Sequence, residues 1–262
     1  MSGSPVLYEV RERVALITLN RPERLNAMNR AMSDALRDTW RRFRDDRDAW
    51  VAIITGAGER AFCAGADVRE LADRAGPPAE PFVAVDMDPT LESGFDVFKP
   101  IIAAINGHCL GIGLTVALAA DFRIAAESAR FGWVFVHRGL VPDTAAGTWL
   151  LSRIVGLQNA AYLLYSGEII SATRALDIGY VHEVVPDAEL LERSLAFAHE
   201  VSRGSPLAIA ETKRLLYQSL TRDPMDHLAD STATITRLFA SEDFREGVRA
   251  FLEHRDPEWK GR

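Results

Sequence analysis

The stretch KPIIAAINGHCLGIGLTVALAADFRIAAESARFG, residues 99–132, carries the clearest fold signal in the sequence. PIIAAI (100–105) is a short apolar run typical of a buried strand, and it leads into the glycine-rich NGHCLGIG (106–113). LTVALAA (114–120) has the small apolar composition of a packed helix, and DFRIA (121–125) indicates a further strand. A strand, a tight turn, a packed helix and another strand together predict an α/β core.

The segments before this stretch also alternate between strand and helix patterns. VLYEV (6–10) and VALITL (14–19) predict a short antiparallel pair, and VAIIT (51–55) predicts a buried strand. Residues 29–45 carry apolar side chains at helical spacing behind Asn29, a favoured helix-capping residue. The first half of the chain therefore predicts strands interleaved with helices.

The second half of the chain is predicted to be mainly helical. Proline is favoured in the first turn of a helix, so Gly204-Ser205-Pro206 marks a boundary between segments. We therefore expect an α/β core over residues 1–203 and a helical C-terminal region over residues 204–262. The helices predicted after residue 143 span about 144–155, 157–165, 172–178, 188–203, 206–221, 225–240 and 242–252.

Composition and charge limit the classes of function. The chain of 262 residues has 30 basic and 37 acidic side chains and a net charge of −7, which argues against nucleic-acid or anionic-membrane surfaces as partners. A compact anionic ligand stays compatible with this charge. Two cysteines, Cys63 and Cys109, make no disulfide framework, and the first residues lack a signal-peptide pattern. Polar residues and glycines break the longest apolar stretch, so no membrane span is predicted, and the expected location is the cytoplasm.

AFCAGAD (61–67) joins a strand-like run to a helix start near Asp67 through small residues. Backbone N–H groups at a helix start attract anions, and small side chains let a ligand approach the backbone. A tight turn capped by Asp67 explains the same pattern, and spacing alone favours this simpler interpretation. Both interpretations stay open at this point.

NGHCLGIG repeats the arrangement of a strand end followed by a helix start. A dinucleotide-binding loop needs G-x-G-x-x-G, whereas Gly111 and Gly113 are followed by Val116 instead of a third glycine. No Gly-Lys-Ser/Thr follows, which excludes a phosphate-binding P-loop. Two backbone amides that meet at one carbonyl oxygen would form an oxyanion hole, where each lost donor typically costs about 3 kcal/mol of transition-state stabilisation.

HRGLVPDTAAGTW (137–149) holds a single carboxylate, Asp143, among apolar and small residues. Pro142-Asp143-Thr144 is a strong helix-start pattern, and aspartate is a preferred N-cap. The catalytic alternative needs Asp143 to face an apolar pocket, because desolvation raises the pKa of a carboxylate and makes it a better base. Local rules leave the cap and the base as alternatives.

Other enzyme classes lack their motifs. No G-x-S-x-G is present, so a serine hydrolase has no local support. The six histidines show neither H-E-x-x-H nor paired Cys/His spacing, so no metal site is predicted. His137, six residues before Asp143, is interpreted as a structural histidine.

Six ordered segments spread over nearly the whole chain resemble one known family. They are LNRPERLNAM (19–28), VAIITGAGERAFCAGADVREL (51–71), the stretch 99–132, HRGLVPDTAAGTWLLSRIVG (137–156), SGEIISATRALDIGYVHEVVP (166–186) and FREGVRAFLEHRDPEWKGR (244–262). The family is the crotonase, or enoyl-CoA hydratase/isomerase, superfamily. The resemblance implies a spiral of ββα units, a helical C-terminal part that forms trimers or dimers of trimers, and an acyl-CoA thioester substrate without metal or redox cofactor.

The resemblance also implies a set of site residues. The thioester oxygen is expected between the backbone amides of Ala66 and Ile112, and the side chain of Ile112 replaces a glycine found in many relatives. Arg24 in RPERLNA is expected to bind CoA phosphates through its fixed charge. The other residues expected along the substrate and CoA path are Ala27, Ala64, Asp67, Val68, Arg69, Gly111, Thr115 and Phe135.

The acid and base groups decide which reaction follows. Hydratases of this family use two glutamates to hold and deprotonate water, and this chain has Thr115 and Phe135 at those positions. Neither side chain acts as a general base at neutral pH. The resemblance therefore predicts that the usual hydration machinery is missing.

Asp143 is then the acid expected at the site. Its setting resembles that of the family's enoyl-CoA isomerases, in which an aspartate at this position shuttles a proton, although PDTAAGTW is one residue longer than the commoner PD-x-GGTW. The leading hypothesis is an acyl-CoA isomerase of fatty-acid or aromatic-acid degradation. Asp143 is its base, and the amides of Ala66 and Ile112 hold the enolate.

Three alternatives stay open. The first alternative is a 2-enoyl-CoA hydratase of β-oxidation, and the second is a non-catalytic acyl-CoA-binding subunit. A third comparison is with 4-chlorobenzoyl-CoA dehalogenases, whose nucleophilic aspartate matches Asp143 and whose pocket aromatics suggest a role for Trp133. Trp133, Phe135 and Trp149 suggest an apolar acyl pocket, although aromatic residues more often belong to the core.

Overall fold

A computed structural model of the chain describes residues 3–73, 97–142 and 146–262. Asp143, the predicted base, lies outside the described residues.

The larger of two sheets contains the strands that the sequence predicts from their apolar runs. Its first two strands are antiparallel, as predicted, and every later neighbour is parallel. In spatial order the strands are β1 (Val6–Arg11), β2 (Val14–Leu19), β3 (Val51–Gly56), β5 (Ile101–Ile105), β7 (Phe122–Ala126) and β10 (Glu183–Val185).

The smaller sheet was not predicted from the sequence. Its first three strands are parallel, and the fourth is antiparallel to its neighbour. In order they are β4 (Ala61–Cys63), β6 (His108–Leu110), β8 (Arg130–Gly132) and β9 (Ile169–Ser171).

The chain crosses from the large sheet to the small one three times in the same way. β3 leads to β4, β5 to β6 and β7 to β8. After each crossing comes a helical segment, namely α2 (Val68–Asp73), α3 (Ile112–Leu118) and a 3-10 helix at Val134–Arg138. This repeated path is the predicted spiral of ββα units, and it stacks the three strand-to-helix turns beside one another.

Helices cover both faces of the large sheet, which explains why its strands are apolar almost throughout. The buried apolar residues form two core clusters, one on each face of the sheet. Successive residues of β3 belong to different clusters, with Ile54 in the first and Ile53 in the second. The first cluster is completed by the apolar face of α1 (Arg30–Asp45), and the second by α7 (Leu190–Val201).

The predicted helices are present, with ends that differ by a few residues. Asn29 caps α1, because its side-chain oxygen accepts a hydrogen bond from the Met32 amide at 2.9 Å. The remaining helices are α4 (Leu151–Val155), α5 (Leu157–Ser166), α6 (Ala172–Asp177), α8 (Pro206–Gln218), α9 (Pro224–Phe239) and α10 (Glu242–Glu253).

The predicted helix over 144–155 departs most from expectation. A π-helical turn spans Ala146–Leu150, and only then does α4 begin. A π-helical turn takes up more residues than an α-helical one, and such turns often mark functional sites.

The helical C-terminal region is fastened to the core through α8. The Lys213 ammonium donates to the Lys99 carbonyl oxygen at 2.9 Å and to the Asp121 carboxylate at 2.8 Å. The Tyr217 hydroxyl donates to the same carboxylate at 2.7 Å. Burial lowers the pKa of Lys213, while Asp121 opposes that shift.

None of the helices in the described ranges is long and apolar enough to cross a membrane.

Candidate active site

The first loop, residues 63–67, follows β4 and pairs with the segment around Met28. The Met28 amide donates to the Gly65 carbonyl oxygen at 2.8 Å, and the Asp67 amide donates to the Met28 carbonyl oxygen at 2.8 Å. These bonds form an isolated parallel bridge between Met28 and Ala66. In such a bridge Met28 bonds to the residues on either side of Ala66, and the N–H of Ala66 itself points away from the Met28 segment. The Ala66 amide therefore faces away from Met28.

Gly65 lets the first loop approach the next turn of the spiral. Its φ of +109° lies in a region that favours glycine. A Cβ atom at this position would lie 3.4 Å from the Leu110 carbonyl oxygen. The backbone conformation therefore explains the glycine, and the Leu110 contact shows how near the next turn lies.

The second loop, residues 110–113, joins β6 to α3. The Gly111 amide donates to the Gly132 carbonyl oxygen at 3.0 Å, and the helix begins at Ile112. The amide of a first helical residue has no acceptor within its own helix. A Cβ on Gly113 would lie 2.4 Å from the Cys63 carbonyl oxygen, so the start of α3 packs directly on the end of β4.

The two loops touch each other. A Cβ on Gly111 would lie 3.8 Å from the Gly65 Cα atom, which is van der Waals contact. Ala66 and Ile112 each follow one of these two glycines in the sequence. The structure thus brings the two predicted amides into neighbouring loops, and their role in holding a thioester oxygen stays a prediction.

Phe135 and Thr115 also lie beside the second loop. Thr115 is buried on α3, one helical turn after Ile112. Phe135 is 8% exposed, and its ring atom Cζ lies 3.9 Å from the position that a Gly111 Cβ would take. An aromatic edge therefore borders the loop that carries the Ile112 amide.

The other two aromatic candidates have different surroundings. Trp133 is buried and packs edge-on against Tyr180, with ring centroids 5.0 Å apart. Trp149 is partly buried, and the Arg153 guanidinium lies 4.4 Å above its ring. Phe135 and Trp133 both belong to the core cluster against which Trp149 packs, and the ring edge of Phe135 lies beside Gly111 of the second loop.

The residues predicted along the CoA path lie on the first loop, at the start of α2 and in the segment before Met28. Ala27 and Ala64 are partly buried, whereas Arg24, Val68 and Arg69 are exposed. The Ala64 amide donates to the Leu25 carbonyl oxygen at 3.0 Å, so this path is built on the same pairing as the bridge at Met28. Contact of these residues with CoA stays a prediction.

Asp67 has two described partners. One carboxylate oxygen accepts from the Arg21 guanidinium at 3.0 Å, and the other accepts from the Arg69 amide at 3.2 Å, as a capped turn requires. Arg21 holds the pKa of the Asp67 carboxyl below its ordinary value. Asp67 is therefore both a cap of α2 and the partner of a partly buried cation.

Sequence reasoning missed Arg21 and Asn26. Asn26 is fully buried with a φ of +53°, and its amide nitrogen donates to the carbonyl oxygens of Ala57 at 3.0 Å and Ala61 at 2.8 Å. Its side-chain oxygen accepts from the Arg21 amide at 3.0 Å. In the sequence both residues stand in a polar stretch before α1, and nothing local indicates their burial.

His137 has a structural contact, in agreement with its interpretation. Its Nε2 lies 2.8 Å from the Ser166 carbonyl oxygen, and a Cβ on Gly167 would lie 2.9 Å from the ring. The histidine therefore packs on the end of α5.

Cys63 and Cys109 are buried free thiols, and burial raises the pKa of Cys63 to about 11. Over the described ranges, no group of three or more His, Cys, Asp or Glu side chains is arranged to hold a metal ion.

Comparisons with known proteins agree with this architecture. Residues 9–262 match the family model described as enoyl-CoA hydratase/isomerase. A probable enoyl-CoA hydratase of Rhodobacter capsulatus is 39% identical over 262 residues, with 100% of both chains covered. The (E)-benzylidenesuccinyl-CoA hydratase of Thauera aromatica is 38% identical, with 98% of this chain and 99% of the relative covered.

A solved structure shows the same fold. The crystal structure of an enoyl-CoA hydratase from Bacillus anthracis superposes with a TM-score of 0.91 at 34% identity, covering 98% of this chain and 100% of the other. The predicted crotonase fold, a spiral with helices in the C-terminal region, is thus confirmed. The sequence match and the structural match lead to one conclusion: the chain belongs to the enoyl-CoA hydratase/isomerase family.

Proposed function

We propose that the chain binds an unsaturated acyl-CoA thioester and moves a proton on it by way of an enolate. The backbone amides of Ala66 and Ile112 hold the thioester oxygen. Support comes from the two loops, which meet at Gly65 and Gly111 with the Ala66 amide turned away from Met28. An enolate carries more negative charge on this oxygen than the thioester does, so two donors lower the barrier to forming it.

The proposed reaction is the shift of a double bond. A base removes an α proton from a 3-enoyl thioester, and the remaining charge spreads from the thioester oxygen to the γ carbon. Return of the proton to the γ carbon gives the 2-enoyl thioester. The reaction is redox-neutral, and one carboxyl group that first accepts and then donates the proton completes it. Asp143 is the proposed carboxyl group.

The choice of isomerisation rests on Phe135. Water addition needs a group that holds and deprotonates a water molecule beside the bound acyl chain. Phe135 instead places a nearly buried aromatic edge against the second loop, and Thr115 is a neutral side chain on α3. An apolar ring at this place disfavours an ordered water and leaves proton transfer as the supported reaction.

Hydration of a 2-enoyl-CoA is the second candidate, and the names of the two relatives favour it, since both are hydratases. Asp143 would then activate water instead of shuttling a proton. A trimer or dimer of trimers, a cytoplasmic location and a role in fatty-acid or aromatic-acid degradation stay predictions from the sequence.

Proton NMR in deuterated water tests the proposal with trans-3-hexenoyl-CoA and crotonyl-CoA as separate substrates. Isomerisation of the 3-enoyl thioester is expected to exceed hydration of crotonyl-CoA, and Asp143→Asn is expected to slow it about 100-fold or more.

Faster hydration of crotonyl-CoA than isomerisation would favour the hydratase. Isomerisation that is unchanged in Asp143→Asn would contradict the role of this aspartate. Binding of both thioesters without exchange or turnover would indicate a non-catalytic binding subunit.

A further inference from the structure

Arg21 stands at the centre of the polar contacts that surround the first loop. One guanidinium nitrogen donates to the Ala27 carbonyl oxygen at 2.6 Å, and the other terminal nitrogen donates to the Asp67 carboxylate at 3.0 Å. The side chains of Arg21 and Asp67 are only 17% and 14% exposed. Arg21 thus makes two shielded contacts with two different partners, unlike a pair of solvated surface charges.

The two residues that Arg21 contacts lie next to the Met28–Ala66 bridge. Ala27 precedes Met28 in one segment, and Asp67 follows Ala66 in the other. The guanidinium therefore spans both segments one residue away from the bridge. Because this group is planar and its donors are fixed relative to one another, it sets the spacing of the two segments.

The main chain of Arg21 is itself fixed. Its amide donates to the Asn26 side-chain oxygen at 3.0 Å, and its carbonyl oxygen accepts from the Asn26 amide at 3.0 Å. Asn26 is in turn held by the carbonyl oxygens of Ala57 and Ala61, close to β3 and β4. The guanidinium is thus anchored to the sheets through Asn26.

We propose that Arg21 is a positioning residue of the reaction, which acts through Asp67 and Ala27 to aim the Ala66 amide at the thioester oxygen. This inference rests on the proposed function. Arg21 is expected to touch neither the acyl group nor CoA, because its side chain is only 17% exposed and its terminal nitrogens point to Asp67 and the Ala27 carbonyl oxygen. It differs in this respect from Arg24, which is exposed and predicted to bind CoA phosphates.

A displaced amide affects the charged oxygen more than the rest of the ligand. Oxyanion donors act at short range, and small misplacements reduce rates strongly. Loss of Arg21 is therefore expected to lower kcat about tenfold to 100-fold with a smaller change in KM. A purely structural role would instead lower thermal stability and weaken all ligands together.

Binding of two probes separates these roles. Acetoacetyl-CoA has a thioester oxygen and forms an enolate, whereas S-butyl-CoA is a thioether without that oxygen. The wild type is expected to bind acetoacetyl-CoA more tightly. Arg21→Gln is expected to reduce this preference about tenfold, while the affinity for S-butyl-CoA changes by less than about threefold.

Further variants keep the test informative if Arg21→Gln does not fold. Arg21→Lys retains the charge without the planar fork and is expected to give an intermediate preference. Asp67→Asn keeps an oxygen acceptor and is expected to be milder than Asp67→Ala. Arg193→Gln is the matched control, because it removes an arginine–glutamate contact of 2.9 Å on α7, outside the two loops.

The outcomes are distinguishable. A wild type that binds both probes equally would contradict the proposed oxyanion site itself. A wild type with the preference, together with an Arg21→Gln variant that keeps it, would overturn only the role of Arg21. Equal weakening of both probes with a lowered Tm in Arg21→Gln would assign Arg21 a structural role and would also overturn the inference.

Discussion

The two loops that meet at the candidate site are held in different ways. Polar side chains from a distant part of the chain hold the first loop and the strand before it, because Arg21 contacts Asp67 of the loop and Asn26 contacts Ala61 of β4. Close packing holds the second loop, because a Cβ on Gly113 would lie 2.4 Å from the Cys63 carbonyl oxygen. One loop depends on hydrogen bonds, and the other depends on close packing.

This difference predicts how each loop responds to change. A hydrogen-bonded loop tolerates a substitution that keeps the donor or acceptor, and its strength depends on pH where a carboxylate takes part. A close-packed glycine tolerates no added carbon atom, because backbone atoms cannot move aside cheaply, and its contribution is independent of pH.

Gly113→Val should have the largest effect. The added Cβ would meet the Cys63 carbonyl oxygen at 2.4 Å, so the contact between α3 and β4 must open. We expect the free energy of unfolding to fall by about 3 kcal/mol or more, measured by urea denaturation. Gly204→Ala is the control, since its nearest neighbour is the Ile209 side chain at 3.4 Å. Equal losses in both variants would contradict the packing account of the second loop.

Asn26→Ala should have the second largest effect. It leaves the buried Ala61 carbonyl oxygen and the partly buried Ala57 carbonyl oxygen without their described side-chain donor, and it places alanine at a φ of +53°. We expect a loss of about 2 to 3 kcal/mol in the free energy of unfolding. Because Asn26 anchors Arg21, the surviving enzyme should also show a lower kcat. A stable, fully active variant would show that the first loop does not depend on this anchor.

Phe135→Ala tests the wall that borders the second loop. Removing the ring opens space next to Gly111, so acyl groups with a branch near the double bond should fit better. We expect kcat/KM for a branched 3-enoyl-CoA to rise about tenfold relative to trans-3-hexenoyl-CoA. Val141→Ala, at an exposed position, should leave this ratio unchanged. An unchanged ratio in Phe135→Ala would place the acyl group elsewhere.

The dependence of stability on pH should give the smallest effect and separate the two loops. Arg21 lowers the pKa of Asp67 below its ordinary value in the folded chain, so the pair stabilises the fold above that ordinary value, and this stabilisation is lost as the pH falls through the lowered pKa. The cost of Asp67→Asn should therefore be larger at pH 7 than at a pH below the lowered pKa of Asp67. The cost of Gly204→Ala or Gly113→Ala should not change over this range. An Asp67→Asn cost that is constant with pH would contradict the ion pair.

Much of the fold could be predicted because its signals are local. The capping of α1 by Asn29 and the β-branched run of β3 follow from short-range rules. β4, β6 and β8 span three residues each, too few for a strand period to appear, so the smaller sheet was missed. The π-helical turn was also missed, because one extra residue hardly alters helical spacing.

The candidate site, like the fold, was predicted only where its signals are visible in the sequence. Ala66 and Ile112 were identified by family resemblance, and the glycines that precede them explain their placement. Arg21 and Asn26 escaped notice because their partners lie 46 and 35 residues away in the sequence. Such contacts exist only once the spiral has brought β4 beside the segment before α1.

The central claim is that this chain stabilises a thioester enolate, and α-proton exchange of butanoyl-CoA in deuterated water tests it most directly. Butanoyl-CoA has no double bond to shift or hydrate, so exchange reports enolate formation alone. The wild type is predicted to exchange the α protons well above the buffer rate, and Asp143→Asn is predicted to slow exchange about 100-fold. Exchange at the buffer rate by a wild type that binds butanoyl-CoA would contradict the claim.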